Sequence, residues 1–398
     1  MKILYIHQYF RTPYQPGGTR SYWFCRELIE NGYNVVMLTS RDAQQKLVEK
    51  EIIDGIEIIY VRNAYNNQFG IFKRAWSFFR FMIISTYLSL KEKNISLVIA
   101  TSTPLSIGFP ALMCKWFRSK KFIFEVRDLW PEVPIQLGAF KNIIIKSTLI
   151  SFEKKIYKNS SHIITLSPGM KEGVLKRGIK EEKVSMIPNM SKVDKFYARK
   201  KDQKVMEQYG LLDDRFYVIH FGTMGIANGL DYIIDAAKIL KDKKHDKIEF
   251  LFAGKGSVEE KLKSRCENEK INNVRFLGTF DMHNLSKIVN IANCSIVPFK
   301  NIEILKTNSP NKLFDSLSAQ KPIIVNSNGW TKEMIESNNC GAYVNPNKPE
   351  HLAEVLIDWQ DNNEQMLEMA KNARLLAEQK YDKSILVKKW YQTIKKFL

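Results

Sequence analysis

Two series of short apolar runs, each alternating with helix-forming stretches, constrain the fold of this chain most strongly. The first series is VVMLTS, IEIIYV, SLVIATS, KFIFEVRD, HIITLS and VSMIPN; the second is FYVIHFG, IEFLFAG, VRFLG, CSIVPF, PIIVNS and GAYVNP. Runs that are apolar at consecutive positions are typical of parallel strands covered by helices on both faces. Each series therefore predicts a doubly wound α/β domain, and 398 residues suffice for two such cores.

A lysine-rich polar stretch within residues 189–209 interrupts the pattern and is interpreted as the interdomain linker. We expect an N-terminal domain over residues 1–192 and a C-terminal domain over residues 193–380. Residues 381–398 form a basic amphipathic helix that is expected to pack back on the N-terminal domain. The first residues, MKILYIHQYF, have no cleavage site of small residues and predict a first strand, not a signal peptide.

Glycine-bearing turns follow three of the predicted strands. Gly17 and Gly18 precede the first helix, FGTMGIANG follows the first strand of the second series, and AGKG follows the next strand. Ligands of such sheets bind at the carboxyl ends of the strands, where glycines let the backbone approach a ligand closely. A tight turn without a ligand explains any single one of them equally well.

The segment NSPNKLFDSLSAQKP, residues 308–322, predicts a helix whose start binds an anion. Ser309 is a suitable N-cap and Pro310 suits the first helical position. Asn311 and Lys312 then fall in the first turn, where free amides and a full positive charge attract phosphate. Asp315 lies on the more polar side, where it can accept hydrogen bonds from sugar hydroxyls. A capped surface helix before a buried strand is the alternative interpretation.

The chain carries 61 Lys and Arg against 42 Asp and Glu, a net charge of +19. This bias favours nucleic acid, anionic lipid or a phosphorylated substrate as partner. Two basic, apolar stretches, Phe72–Lys93 and Lys141–Asn159, predict helices lying on an anionic membrane surface, with core-packed helices as the alternative. The longest uninterrupted apolar run is too short to cross a bilayer. No nucleic-acid motif is present, so that partner ranks lower and is not expected.

The five cysteines are scattered, and no C-x-x-C pair occurs. This favours reduced thiols in a cytosolic protein. The six histidines form no ligand set, so we expect neither a metal site nor a cofactor.

The motifs GGTRSYWF, EVRDLWPE, LSPGM, IPN, FGTMGIANGLDYIIDAA, FLFAGKG, VRFLG and SPNKLFDSLSAQKPII resemble the family 4 glycosyltransferases over essentially the whole chain. The subgroup that it resembles is that of the O-antigen and capsule transferases related to fucosamine transferases. The resemblance implies two Rossmann-like domains facing a cleft, the GT-B fold. It further implies a nucleotide-sugar donor, commonly UDP-linked, and retention of the donor's anomeric configuration. For the acceptor we expect a lipid-linked saccharide or polyprenyl phosphate at the inner face of the cell membrane.

Carried over by position, the resemblance implies a donor site in which the glycine turns lie near the diphosphate. Many relatives have an Arg and a Lys in the turn that Thr223 and Asn228 occupy here, which places more of the neutralisation on Lys312. The first glutamate of the family's signature is replaced by Thr307, and Asp315 stands in the second place. The full predicted donor site is Gly17, Gly18, Gly222, Thr223, Gly225, Asn228, Gly254, Lys255, Gly256, Asn308, Ser309, Pro310, Asn311, Lys312 and Asp315.

The catalytic candidates are Lys312 with Arg127 and Asp128 of EVRDLWPE, which ends a strand of the N-terminal domain. Asp128 could orient or deprotonate an acceptor hydroxyl, and Arg127 could hold an acceptor phosphate. An Asp–Arg pair capping the strand end is the alternative. His7 and His220 lie on apolar strands and are interpreted as core residues.

Two other functions stay open from the sequence. A sugar-nucleotide epimerase of the same fold would act on a UDP-sugar alone, without membrane helices. A non-catalytic membrane or nucleic-acid binding protein is the other, because the first signature glutamate is missing.

Overall fold

A computed structural model describes residues 1–65 and 69–398, and the chain divides into two compact units. Unit 1 comprises Met1–Thr12, Gly18–Pro188 and Ser384–Leu398, and unit 2 comprises Pro13–Gly17 and Asn189–Lys383. The sequence predicts domain boundaries at residues 192 and 380, whereas the main segment of unit 2 begins at Asn189 and ends at Lys383. Lysine content marks a solvated stretch of chain, whereas the boundary depends on which backbone contacts it makes.

Unit 1 contains an eight-stranded sheet in the order β3-β4-β2-β1-β5-β6-β7-β8. All neighbouring pairs are parallel except β3 and β4. Its strands are β1 (Lys2–Ile6), β2 (Asn34–Arg41), β3 (Val48–Ile53), β4 (Ile56–Arg62), β5 (Ile95–Thr101), β6 (Lys121–Val126), β7 (His162–Thr165) and β8 (Val184–Met186). In the central register, Leu4 lies opposite both Val36 and Val98.

The α-helices of the same unit, over its described residues, are α1 (Arg20–Glu30), α2 (Ile71–Lys91), α3 (Gly108–Arg118), α4 (Glu132–Gln136), α5 (Ile143–Asn159), α6 (Pro168–Leu175) and, from the far end of the chain, α15 (Lys383–Lys395), whose first residue is counted with unit 2. The indole of Trp390 on α15 is fully buried and stacks on the ring of Phe24 on α1, with centroids 4.2 Å apart. The last helix is therefore part of the core of unit 1.

Unit 2 contains a six-stranded parallel sheet in the order β11-β10-β9-β12-β13-β14. Its strands are β9 (Phe216–Phe221), β10 (Ile248–Ala253), β11 (Val274–Gly278), β12 (Cys294–Val297), β13 (Ile323–Val325) and β14 (Gly341–Tyr343). Its helices are α7 (Gln203–Gln208), α8 (Asp231–Asp242), α9 (Glu259–Asn268), α10 (Met282–Ile291), α11 (Asn311–Ser318), α12 (Trp330–Ser337), α13 (Pro349–Asp361) and α14 (Asn363–Leu376).

The strands of unit 2 are buried on both faces because each face has its own apolar core. Val218 and Phe250 contribute to one core, whereas Ile219 and Leu251 contribute to the other. This alternation explains why the runs are apolar at every position. The two predicted doubly wound parallel-sheet domains are confirmed. Several of the predicted site residues come directly after the carboxyl ends of these strands.

Candidate functional site

The turns that follow β9 and β10 lie against each other and form a surface of backbone atoms. The Gly222 amide donates to the Ala253 carbonyl at 2.8 Å, and the Met224 amide donates to the Lys255 carbonyl at 3.0 Å. A Cβ atom on Gly254 would lie 1.9 Å from the Gly222 carbonyl oxygen, so no larger residue fits there. Gly222 has a φ of +101°, a conformation that other residues rarely adopt. The structure thus brings two of the predicted glycine turns together.

Lys312 lies beside this surface. Its Cε is 3.6 Å from the position that a Cβ of Gly222 would occupy, and its Nζ is 3.3 Å from Nε2 of His220. Burial lowers the pKa of the ammonium group from 10.5 to about 7. Within residues 1–65 and 69–398, no carboxylate acts on that group to offset the effect. A buried cation without a counter-ion is a costly arrangement that an anionic ligand would relieve.

His220, predicted as a core residue, is indeed buried, but it also contacts Lys312. Burial first, and the charge of Lys312 second, hold the pKa of His220 well below its usual 6.5. The imidazole is therefore neutral near pH 7. An ammonium group can only donate, so Nε2 accepts from Lys312 and the ring proton resides on Nδ1. The lysine is held by a neutral group, which leaves its charge available to a ligand.

Helix α11 begins at Asn311, and the predicted cap by Ser309 is wrong. Pro310 occupies the N-cap position with extended backbone, one residue before its predicted place, and no side chain caps the helix. The Ser309 hydroxyl instead accepts a hydrogen bond from the Asn189 amide at 3.4 Å, and the Ser309 carbonyl accepts from the Asn189 side chain at 2.5 Å. Lys312 still falls in the first turn, where backbone amides have no partner within the helix.

Asp315 lies on the buried side of α11, not on the polar side that the sequence predicts. Its Oδ1 lies 2.5 Å from Nζ of Lys192, and both residues are buried. Burial raises the pKa of Asp315, while the ammonium of Lys192 acts in the opposite direction. The carboxylate is thus fixed by a buried ion pair one turn inside the helix. Contact between Asp315 and a ribose stays a prediction.

The remaining predicted donor residues of unit 2 lie around the two turns. Thr223 and Lys255 are exposed, and Gly256 packs so closely that its Cβ would lie 2.1 Å from the Met224 carbonyl oxygen. The side-chain oxygen of Asn228 accepts from the Gly225 amide at 3.2 Å and so shapes the turn. Asn308 follows the short 3-10 turn Glu303–Thr307, and its carbonyl accepts from the Trp330 indole at 2.7 Å.

Asp128 and Arg127 follow β6 in unit 1, where each has a specific partner. The hydroxyl of Thr103 donates to Oδ2 of Asp128 at 2.8 Å, and burial raises the pKa of this carboxyl. A guanidinium nitrogen of Arg127 lies 3.4 Å from Nε2 of His7. His7, predicted as a core residue, is buried, and its pKa is lowered well below 6.5 by burial and then by Arg127 and Arg11. Polar side chains therefore cluster at the end of β6 in two pairs, Asp128 with Thr103 and Arg127 with His7.

The predicted glycine loop lies immediately before α1. Gly17 has a φ of +129° and ends the short segment that belongs to unit 2, whereas Gly18 begins the main segment of unit 1. Thr19 occupies the N-cap position of α1 without a side-chain cap hydrogen bond, and its hydroxyl accepts from the Trp23 indole at 3.1 Å. No interaction of Gly17 or Gly18 with a donor is tested by this geometry, and their role stays a prediction.

Arg20 is a residue that our sequence reasoning missed. Its Nε donates to Oε1 of Glu125 at 2.8 Å, and both side chains are almost fully buried. The other guanidinium nitrogens donate to the carbonyls of Ile187 and Pro188, the last residues of this segment of unit 1. The position of Arg20 inside GGTRSYWF was the available signal. Its role here is to fix the end of the segment.

The two predicted membrane helices correspond to α2 and α5, and both expose apolar side chains. On α2, Phe72 is 91% exposed and Trp76 is 64% exposed, whereas Phe81 is buried. At the start of α5, Ile143 is 75% exposed and Ile144 is 71% exposed. Each helix therefore covers the core with one side only. Across the part of the chain that the structure describes, no helix meets the length and hydropathy needed to span a bilayer.

The described ranges contain no group of three or more His, Cys, Asp and Glu side chains that could hold a metal ion. All five cysteines are buried free thiols.

Two family models match the chain: Glycosyltransferase Family 4 over residues 17–194 and Glycosyl transferases group 1 over residues 201–376. An alpha-galactosylglucosyldiacylglycerol synthase of Streptococcus pneumoniae is 23% identical over 267 residues, 65% of this chain and 66% of that protein. A putative colanic acid biosynthesis glycosyl transferase, WcaI of Escherichia coli, is 22% identical over 184 residues, 46% of this chain and 44% of that protein. The matches thus span less than two thirds of either relative.

Solved structures resemble the chain over nearly its whole length. Sucrose-phosphate synthase from Thermosynechococcus elongatus superposes with a TM-score of 0.79 at 16% identity, covering 99% of this chain and 98% of that one. Anabaena HepE, solved in complex with UDP and glucose, gives a TM-score of 0.72 at 16% identity and covers 99% of both chains. These similarities establish the fold as GT-B.

Proposed function

We propose that this chain, both of whose domains are glycosyltransferase-family domains, transfers a sugar from a UDP-sugar to a lipid-linked acceptor. The observation that carries the proposal is the ammonium group of Lys312, which has no acidic partner among the described residues and lies against the Gly222 turn. Anabaena HepE, a protein of similar fold, was solved with UDP. A diphosphate is the anion that this cation and the neighbouring free amides would hold.

The proposed donor chemistry follows from the arrangement in unit 2. Breaking the bond between sugar and diphosphate places negative charge on the leaving oxygen while positive charge grows on the sugar. Lys312 and the first amides of α11 are fixed before the reaction, so they stabilise that developing charge without reorganising. The carboxylate of Asp315, held by Lys192, is proposed to accept hydrogen bonds from the ribose hydroxyls. Gly17 and Gly18 are proposed to complete the donor site.

The proposed acceptor chemistry belongs to unit 1. Asp128 would take the proton of the acceptor hydroxyl, and its raised pKa brings this carboxylate closer to the basicity that such a role needs. By analogy with the family that the motifs resemble, the product is expected to retain the donor's anomeric configuration.

The proposed acceptor is a lipid-linked saccharide or polyprenyl phosphate at the inner face of the cell membrane, in surface polysaccharide synthesis. Exposed apolar residues of α2 and α5 lie beside lysines such as Lys73, a combination suited to anionic lipid. The names of two relatives mention a galactosylglucosyldiacylglycerol and colanic acid.

The test is to incubate the purified full chain with a panel of UDP-sugars, with and without a membrane lipid extract, and to measure UDP release. Release that requires the lipid supports the proposal. Interconversion of the sugar without UDP release would instead identify an epimerase, and no reaction or binding at all would point to a non-catalytic protein. Lys312→Met should lower the release at least about 30-fold, whereas Lys306→Met, at a half-buried lysine paired with Glu303, should not.

A further inference from the structure

A row of five aromatic rings crosses the surface of unit 1. Tyr9 contacts Tyr65 with ring centroids 4.9 Å apart, and Tyr65 contacts Phe78 at 5.7 Å. Phe78 contacts Trp130 at 6.2 Å, and Trp130 contacts Phe140 at 6.5 Å. The rings come from four separate parts of the chain, since only Trp130 and Phe140 are close in sequence. We call this set the aromatic row.

The aromatic row is not part of the closed core. All five residues are partly buried, in contrast to rings such as Phe24 and Phe124, which are fully buried. Each of these side chains therefore keeps part of its surface accessible. The five rings contact one another in series, which suits a single extended apolar chain better than a pair of chains.

Three arginines that form no ion pair with a described residue act on His7 and Tyr9, at the Tyr9 end of the row. The charges of Arg11 and Arg127 both act on His7, and Arg127 lies 3.4 Å from its Nε2. Arg11 and Arg74 likewise act on the phenol of Tyr9. Arg74 precedes Phe78 by four residues on α2, so both lie on one face of that helix. A guanidinium nitrogen of Arg11 donates a hydrogen bond to the carbonyl of Phe10 at 3.1 Å.

Among the residues that the structure describes, no ion pair involves Arg11, Arg74 or Arg127. By contrast, Arg20 and Arg177 form ion pairs with buried or half-buried carboxylates. Arg11 and Arg127 both place positive charge near His7, and an anion bound beside that imidazole would interact favourably with both. Guanidinium groups bind phosphate oxygens in pairs, with strong charge-assisted hydrogen bonds.

We propose that unit 1 binds a lipid phosphate, with the phosphate or diphosphate at Arg11 and Arg127 and one apolar chain along the aromatic row. This inference rests on the proposed function, because it names where the lipid-linked acceptor sits. The direction of the lipid's apolar chain follows from the two ends of the aromatic row: the arginines lie at the Tyr9 end, and Phe140 is the ring at the other end. Three residues beyond Phe140, the exposed Ile143 and Ile144 begin α5.

The occupant is argued from this polarity. A free phosphate would use the arginines but not the rings, and a neutral lipid would use the rings but not the arginines. The helix that carries Phe78 also exposes Trp76 and Phe79, whose rings contact each other at 5.9 Å, and α5 exposes Ile143 and Ile144. A chain leaving the row would thus stay in contact with apolar side chains that are suited to the membrane surface.

The test measures binding of farnesyl monophosphate to the full chain by titration calorimetry, with farnesol and inorganic phosphate as half-ligands. Farnesyl monophosphate should bind at least about tenfold more tightly than either half-ligand, because each half contributes separately. Arg11→Gln should weaken farnesyl monophosphate about tenfold and leave farnesol unchanged, and Arg11→Lys should restore part of the loss. Phe78→Ser should weaken farnesyl monophosphate and farnesol alike.

Two matched variants serve as controls. Tyr87→Ser removes an exposed ring near the far end of α2, and Arg62→Gln removes an exposed arginine outside the cluster. Neither should change binding by more than about twofold, and all variants should melt within a few degrees of wild type. Equal loss in the control variants would overturn the site. Equal competition by a two-chain phosphatidic acid would overturn the assignment to a single chain.

The outcome is separable from that of the proposed function. If the protein binds UDP and releases it in the presence of lipid extract but does not bind farnesyl monophosphate, the lipid-phosphate site is wrong and the proposed function stands. If farnesyl monophosphate binds as described but UDP does not, the proposed function fails while this site stands.

Discussion

Replacing Lys312 by Met should stabilise the protein without ligand while lowering its turnover and its affinity for UDP. Methionine has a similar length and no charge. In the folded protein the pKa of Lys312 is about 7, against 10.5 for an ordinary lysine, because the ammonium is buried. The difference corresponds to at most about 5 kcal/mol of unfavourable free energy for the charged form. Part of the side chain remains accessible, so we expect Lys312→Met to raise the free energy of unfolding by about 2 kcal/mol.

The sign with pH follows from the same values. The folded pKa lies below the unfolded one, so between about pH 7 and pH 10.5 the unfolded state binds more protons, and stability rises with pH. The penalty is complete below about pH 7 and disappears towards pH 10.5. Differential scanning fluorimetry near pH 6.5 should therefore show a melting temperature about 5 °C higher for Lys312→Met, with the gap closing as pH rises. Lys306→Met should change it by less than about 1 °C.

Ligand binding should reverse the ranking. UDP at about a hundred times its Kd stabilises the wild type by about 2.7 kcal/mol, and Lys312→Met should lose most of this gain. Near pH 8, more than about half a proton should be taken up per UDP, because the diphosphate restores the charge on a mostly neutral Lys312. Calorimetry in two buffers of different ionisation enthalpy measures that uptake, and the variant should show none.

Turnover by Lys312→Met should fall roughly 30- to 900-fold, the equivalent of 2–4 kcal/mol. The reasoning is refuted if the variant is no more stable than wild type near pH 6.5 and UDP binding takes up no proton. Turnover within a few-fold of wild type would separately refute the role of Lys312 at the diphosphate.

Three further predictions concern the remaining groups. Asp315→Asn should raise the donor KM more than it lowers kcat, and should destabilise the protein by about 3 kcal/mol because Lys192 is left buried without its partner; adding Lys192→Met should restore the melting temperature but not the KM. Asp128→Asn should lower kcat with UDP affinity unchanged. The pH–rate profile of the wild type should have an acid limb above pH 3.8, because burial raises the pKa of Asp128, and the variant should lack this limb. Trp76→Ser with Phe79→Ser should reduce flotation with anionic liposomes at unchanged UDP affinity, and equal flotation of wild type and variant would contradict the membrane surface.

The sequence predicts the sheets well because buried parallel strands are apolar at every position, as in IEFLFA of β10. It misses β3, VEKEII, which mixes charged and apolar residues because it is an antiparallel edge strand. A local signal did exist, because an Asp-Gly pair is typical of a two-residue hairpin turn. Asp54 and Gly55 are such a pair; both have positive φ and form the tight turn into β4. Hairpins within a mostly parallel pattern are easily overlooked when only apolar runs are counted.

The candidate site shows where local patterns cease to be sufficient. Lys312 is placed by the helix start alone, so its position in the first turn follows from sequence. The partners of Ser309 and Asp315 do not, because Asn189 and Lys192 are more than a hundred residues away in the chain. The same holds for Arg20 and Glu125, 105 positions apart. Propensity describes neighbours along the chain, whereas burial and ion pairs depend on the tertiary fold.

The return of α15 to unit 1 has a consequence for biosynthesis. The indole of Trp390 fills the place beside Phe24, yet residues 189–383 of unit 2 are translated in between. At 5–20 residues per second, roughly 10–40 s pass before that indole emerges to cover the first helix. Throughout this interval the nascent N-terminal unit exposes an apolar ring that other proteins could bind. We therefore expect ribosome-bound chains that end before α15 to recruit holdase chaperones.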